Sequence, residues 1–237
     1  MLWTDLSSRQ LIADHYPWFL STFDGYKYNI QRADAIRYFV LHRYGGVYMD
    51  LDIGCIRPID PLMKFPVILP LTKPVGISND LMFSTRGHPF MEQVIRALIT
   101  FDINYWLNYP TVMFSTGPMF LSVQYSLYTK THPPTIKTPG GDIRVLPKSL
   151  YGKNAKPGEA PHSFFEHYYG SSWHSDDAWL WKFLAAWGIR LMYVGVVVLV
   201  VLGIRLFLQR NKKKRSSHPR RTGRSLRFGR CIRTATT

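Results

Sequence analysis

Two carboxylates separated by one residue, Asp50 and Asp52, are the part of this sequence best suited to chemistry. Carboxylates held side by side repel each other, and a divalent cation relieves the repulsion. Oxygen donors at the end of a strand suit Mg2+ or Mn2+ rather than zinc. A cation held there can bind a pyrophosphate and stabilise it as a leaving group. The plain alternative is a solvated turn that happens to carry two acids. A D-x-D triplet is common, so the residues around it must decide.

The stretch ahead of the pair supplies elements that would position it. Ile36, Phe39, Val40 and Tyr44 recur at helical spacing, and Gly45-Gly46 ends the helix because glycine tolerates the left-handed exit. Val47-Tyr48-Met49 predicts a buried strand. If that strand continues through Asp52, alternation puts Asp50 and Asp52 on one side of it. Asp34 and Arg37, three residues apart, share a face of the helix. A surface ion pair worth less than about 1 kcal/mol is the competing reading for these two. Further on, Val67-Ile68-Leu69, Leu81-Met82-Phe83 and Ile143–Leu146 read as strands. Pro89–Leu98 predicts a helix with proline in its first turn, and Thr116-Gly117-Pro118 opens another that runs to about Tyr128. Thr131–Asp142 reads as a loop. The alternation of strands and helices predicts an α/β domain.

The run A-D-A-I-R-Y followed by Y-G-G-V-Y-M-D-L-D resembles the DXD-containing sugar transferases with an Och1-like or toxin-like domain of the GT-A, Rossmann-like fold. N-I-Q-R-A-D-A-I-R-Y-F-V-L is most similar to the inositol phosphoceramide mannosyltransferases of fungi. The likeness runs from Leu2 to about Trp187 and includes Ser78-Asn79-Asp80 and Gly170-Ser171-Ser172-Trp173-His174. It implies metal-dependent transfer of mannose from GDP-mannose to the headgroup of inositol phosphoceramide, with Mn2+ (or Mg2+) and retention of anomeric configuration.

The resemblance also implies roles. Asp50 and Asp52 hold the metal, while Asp34 and Arg37 grip the donor sugar. Asn79 and Asp80 lie near that sugar, and Ser172 and Trp173 belong to a loop closing over the nucleotide. His174 reads as a third metal ligand, a role open to a neutral imidazole. Packing is the competing reading for Trp173, and Ser175, Asp176 and Asp177 read as the cap and first turn of a following helix. An opening strand and helix are expected ahead of Met1, so residues 1–187 read as an N-terminally truncated catalytic domain. The alternative to an active enzyme is therefore a catalytically inactive membrane relative acting as a regulatory or binding subunit. A metal-dependent phosphohydrolase is less well supported, since no second cluster able to activate water is visible.

Charge and hydropathy frame the rest. The formal net charge of +15 is concentrated at the C-terminus, where residues 209–237 carry 11 Lys or Arg and no acid. The remaining 19 basic and 15 acidic residues leave +4, which gives no reason to expect nucleic acid. Residues 190–208 read as a transmembrane helix, with Arg190 and Arg205 able to reach opposite interfaces. The basic tail, residues 209–237, should be disordered and cytosolic, which places the preceding domain in a lumen. A single-pass protein of the Golgi or another secretory membrane is the expectation, with lipid and a regulatory membrane subunit as partners. Cys55 and Cys231 would lie on opposite sides of the bilayer, so neither a disulfide scaffold nor a zinc finger is expected.

Overall fold

Thr4 opens the first helix: its hydroxyl accepts from the Ser7 N–H, and Ser7 returns a bond to the Thr4 backbone. The computed structural model describes residues 1–71, 76–133, 135, 141–153, 155–156, 158–168 and 178–216. Helix α1 (Asp5–His15), a 3-10 turn (Pro17–Phe19) and α2 (Leu20–Gly25) lead into the central helix α3 (Asn29–Tyr44). Helix α3 ends as its glycines require. Gly45 sits at φ +69°, and a Cβ there would lie 2.6 Å from the Arg86 backbone nitrogen, so both conformation and space demand glycine.

Strand β1 (Gly46–Met49) follows at once, then β2 (Ile53–Cys55), β3 (Val67–Pro70) and β4 (Leu81–Ser84). Helices α4 (Pro89–Thr100), α5 (Asn108–Ser115) and α6 (Pro118–Thr131) come next, then β5 (Ile143–Leu146), the short α7 (Lys148–Tyr151) and β6 (Phe165–His167). The mixed sheet has the order β1-β4-β3-β5. Its β3–β5 pair is parallel, and its other two pairs are antiparallel. Strands β2 and β6 form a separate antiparallel pair.

Alternation along the central strands sorts the core into two faces. Val67, Leu69 and Met82 pack with Phe39, Phe90 and Phe120 from the helices. Ile68, Leu81 and Phe83 face the other way, onto Ile53, Tyr151 and Phe165. Both faces of β3 and β4 are covered, which is why their sequences are apolar without interruption. Burying each such side chain stabilises the fold by about 1.5–3 kcal/mol.

Two expectations are corrected here. Val47-Tyr48-Met49 is a strand but not a buried one: it lies at the sheet edge and is half-covered. The strand also stops at Met49 and does not carry through Asp52. Asp50–Ile53 is a turn closed by the Ile53 N–H donating to the Asp50 carbonyl at 3.1 Å. The predicted helices at Pro89 and Pro118 and the strands at Val67, Leu81 and Ile143 are present.

Helix α4 carries a pH-sensitive cap. The Phe90 N–H donates to Nδ1 of His88 at 3.1 Å, so that nitrogen must be unprotonated. Burial holds the His88 imidazole below its ordinary pKa. A lowered folded pKa means that the contribution is complete above the unfolded value of about 6.5 and is lost as pH falls through the folded value. Thermal unfolding of the detergent-solubilised chain should therefore shift to lower temperature between pH 7.5 and 5.5. His88→Asn keeps an acceptor that does not titrate and should flatten that dependence, and an equally steep profile in the variant would assign the effect elsewhere.

Met1–Ala178 forms one compact unit and Trp179–Thr237 a second. Helix α8 (Ala178–Ser216) begins at the boundary and lies in the second unit from Trp179 on. Within it, Arg190–Gln209 is 20 residues of exposed, mainly apolar surface, long enough to cross a membrane. The helix expected at residues 190–208 lies within this stretch.

Candidate functional site

Antiparallel pairing of β1 with β4 places Met49 opposite Leu81, so the next residues outward, Asp50 and Asp80, become neighbours. The Asp50 N–H donates to the Asp80 carbonyl at 2.8 Å. Tyr48, on the helical side of β1, donates its hydroxyl to Asp50 Oδ1 at 2.8 Å. Its ring lies beneath the Arg37 guanidinium, 4.8 Å from centroid to Cζ.

Arg37 ties the elements together. Its Nη1 donates to the Asn79 carbonyl at 2.8 Å and lies 3.5 Å from Asp50 Oδ1. Its Nη2 is 2.9 Å from Asp34 Oδ1, and its Nε donates to the Ala33 carbonyl at 3.2 Å. Asp34 also accepts from Asn79 Nδ2 at 2.9 Å and from the Thr116 hydroxyl at 3.2 Å. Tyr38 completes the network: it accepts from Asn79 Nδ2 at 3.3 Å and donates to the Thr116 carbonyl at 2.8 Å. The Asp34–Arg37 pair is buried, which rules out the surface ion pair that the spacing alone allowed. Taking the pair out of water costs desolvation, which the contacts on both Asp34 oxygens and on the Arg37 nitrogens offset.

Burial pushes the Asp34 carboxyl above the ordinary carboxylate range, against the pull of Arg37. Burial likewise works against the charge on Arg37, but Asp34 and then Tyr48 and Asp50 raise its pKa further. For Asp50, burial is again the largest influence and pushes its pKa up. Arg37 and Tyr48 oppose this, while Asp80 and Asp52 add to it. Asp80 differs. Its burial is outweighed by Lys153, whose ammonium contacts Oδ2, with Tyr151 on Oδ1, and its carboxyl titrates below the usual range.

Among the described residues, the side-chain contacts of Asp50 fall on Oδ1, and the Asp52 carboxylate makes no hydrogen bond or ion pair. That leaves Asp50 Oδ2 and both oxygens of Asp52 as donors for a hard cation. The donor set fits Mg2+ or Mn2+. No three acidic, His or Cys side chains converge among the described residues, and His174, Ser172 and Trp173 lie outside them. Asp50, Asp52, Arg37 and Tyr48 line a cleft of about 780 Å³, whose other walls include Trp3, Ile36 and Val40. A separate cavity of about 280 Å³ between His15, His42, Arg43 and Arg86 contains none of these residues.

Of the residues singled out from sequence, Asp34, Arg37, Asp50, Asn79 and Asp80 meet in one network, with Asp52 at its open edge. Asn79 and Asp80 make polar contacts within the protein, Asn79 with Asp34 and Tyr38, Asp80 with Tyr151 and Lys153. Tyr38, Tyr48, Thr116, Tyr151 and Lys153 were not anticipated. Two of them carried a signal: Tyr48 stands two residues before Asp50, and Tyr38 lies one helical turn after Asp34. Lys153 and Asp80 are 73 positions apart, and nothing local connects them.

Residues 1–68 match the family model described as the glycosyltransferase sugar-binding region containing the DXD motif. That segment holds Asp34, Arg37, Asp50 and Asp52. Inositol phosphoceramide mannosyltransferase 3 of Schizosaccharomyces pombe is 48% identical over 190 residues, covering 80% of this chain and 51% of that protein. The chain is homologous to the inositol phosphoceramide mannosyltransferases. Inositol phosphoceramide mannosyltransferase 1 of the same yeast is 44% identical, covering 83% of this chain and 62% of the relative. Mannosyl phosphorylinositol ceramide synthase SUR1 of Saccharomyces cerevisiae is 47% identical, covering 78% and 46%. The chain thus spans about half the length of these mannosyltransferase relatives. Among solved structures, the PaToxG glycosyltransferase is 15% identical over 54% of this chain and 45% of that one, with a TM-score of 0.35, too low to bear on the fold.

Proposed function

We propose that Met1–Ala178 is a GT-A-type sugar transferase domain that moves mannose from GDP-mannose to the headgroup of inositol phosphoceramide, with retention of configuration. The observation that carries this reading is the open pair of Asp50 and Asp52 at the edge of a cleft, backed by the buried Arg37 network. Mn2+ or Mg2+, when bound by the two carboxylates, supplies charge that a departing nucleotide diphosphate needs. Tyr48 and Arg37 hold Asp50 through Oδ1, leaving Oδ2 without a partner among the described residues. Arg37, kept charged by Asp34, presents positive potential toward the donor phosphate. Asn79 and Thr116 fix Asp34 so that the pair does not swing apart on binding. Asp80, its side chain held by Lys153, accepts from the Asp50 N–H at its backbone carbonyl and so fixes the end of the strand that leads to the two carboxylates. Ser172, Trp173 and His174 are assigned to a closing loop, His174 as a further metal ligand, on the resemblance of their segment to that of the family.

The second unit anchors the domain. Arg190–Gln209 spans the membrane, the basic tail stays cytosolic, and the catalytic domain faces the lumen of the Golgi or a neighbouring compartment. One experiment tests chemistry and topology together. Sealed microsomes carrying the chain should form mannosylated inositol phosphoceramide from GDP-mannose and Mn2+. External protease should remove the tail without reducing that product. Preferred use of UDP-glucose would defeat the donor assignment, and loss of product on proteolysis would reverse the orientation.

A further inference from the structure

The most exposed large side chain of the interior loops is Trp106, with 90% of its surface accessible. It lies between α4 and α5 beside exposed Ile103, Tyr105 and Leu107, and Phe114 joins them through its ring, 5.6 Å from that of Tyr105. From Ile103 to Thr129 the sequence has no Asp, Glu, Lys, Arg or His, and within that run the exposed apolar side chains at the loop are bounded by the exposed Asp102 just ahead of Ile103. A surface meant for water normally carries charges. A contiguous apolar patch without them marks a place that leaves water.

The loop is built to hold this shape. Trp106 has φ +69°, alone among described non-glycine residues, a conformation that bulky side chains avoid. Four of its backbone amides nevertheless have partners within the protein. Ile103 N–H donates to the Phe101 carbonyl at 2.8 Å, and Tyr105 N–H to the Thr111 hydroxyl at 3.0 Å. Trp106 N–H reaches Asn104 Oδ1 at 2.9 Å, and Leu107 N–H reaches the Tyr105 carbonyl at 2.8 Å. These donors need no water, so the loop can enter a poorly hydrated layer without stranding them.

We infer that the Ile103–Leu107 loop, with Phe114, inserts into the headgroup layer of a phospholipid bilayer and forms a second membrane contact for this domain. The inference rests on the proposed membrane span, which keeps the domain within reach of lipid. Tryptophan and tyrosine suit that depth, having apolar rings with a polar edge. No charge lies between Ile103 and Leu107, so this stretch can enter lipid without burying one, and the nearest, the exposed Asp102, stands at its N-terminal edge. The contact would hold the domain against the surface from which a lipid acceptor must be presented.

The test uses the full chain with Cys55→Ser and Cys231→Ser and a single new cysteine, Trp106→Cys, labelled with an NBD fluorophore. Lys64→Cys, on another exposed segment, serves as the comparison. The chain is reconstituted in vesicles of phosphatidylcholine and phosphatidylinositol, with or without lipids bearing a nitroxide near the headgroup. At position 106, emission should shift to the blue and nitroxide lipid should remove about half of the intensity, with little change at position 64. Water-like, unquenched emission at position 106 in carbonate-resistant protein overturns the inference while leaving the span intact. So does equal quenching at both positions. A blue shift that depends on protein concentration and ignores nitroxide lipid also overturns it, in favour of a second copy. Quenching at position 106 in a chain that carbonate extracts would keep the loop contact and refute the span instead.

Discussion

Replacing Asp52 with alanine should lower sugar transfer on the order of a thousandfold, equivalent to about 4 kcal/mol of transition-state stabilisation. The fold should survive. The side chain is half-exposed and makes no hydrogen bond or ion pair among the described residues, so unfolding should change by less than about 0.5 kcal/mol. That separation makes Asp52 a cleaner probe than Asp50, whose carboxylate holds Tyr48 and faces Arg37. The measurement is mannose transfer in microsomes at saturating Mn2+, beside thermal unfolding of the same protein. Activity that survives in Asp52→Ala, or that persists in chelator, would sink the metal-pair reading. A partial loss recovered by more Mn2+ would instead assign Asp52 to metal affinity.

Arg37→Lys should fail to rescue function although it preserves charge. The guanidinium reaches Ala33, Asp34 and Asn79 in one plane, and it stacks on Tyr48. An ammonium cannot satisfy that arrangement. The buried Asp34 carboxylate would lose part of its pairing, at about 2–4 kcal/mol of folding stability. Transfer per folded molecule should fall at least about a hundredfold, because the misplacement reaches Asp50. Phe39→Leu, a change in the apolar core, provides the comparison: it lowers stability but should leave the turnover of folded protein near the parental value. If Arg37→Lys and Phe39→Leu behave alike, Arg37 is only structural.

These two residues also show how far local pattern reaches. Helix α3, its glycine stop and strand β1 were legible because each depends on neighbours in sequence: spacing for the apolar face, positive φ for Gly45, β-branching and aromaticity for the strand. The central strands and the helices at Pro89 and Pro118 were legible for the same reason. The turn at Asp50–Ile53 was not, since nothing local distinguishes a strand that continues through Asp52 from one that stops at Met49. Tertiary closure decided it, because Asp52 must leave sheet order before Ile53 pairs with His167.

By itself the sequence determined the site's inventory: two carboxylates, an Asp-Arg pair one turn apart, an Asn-Asp pair downstream, and an apolar segment followed by a basic tail. Resemblance assigned roles to that inventory. Only the tertiary structure decided which members touch and in what state. The β1–β4 register set Asp50 beside Asp80, and α3 packed over that edge placed Arg37 between Asp34 and Asp50. Burial then turned a spacing compatible with an exposed ion pair into a buried network, and Lys153 arrived from 73 residues away to hold Asp80 charged. The physical reason is range. Helical and strand periodicity acts between near neighbours, whereas desolvation and ion pairing depend on groups that meet only when the sheet closes.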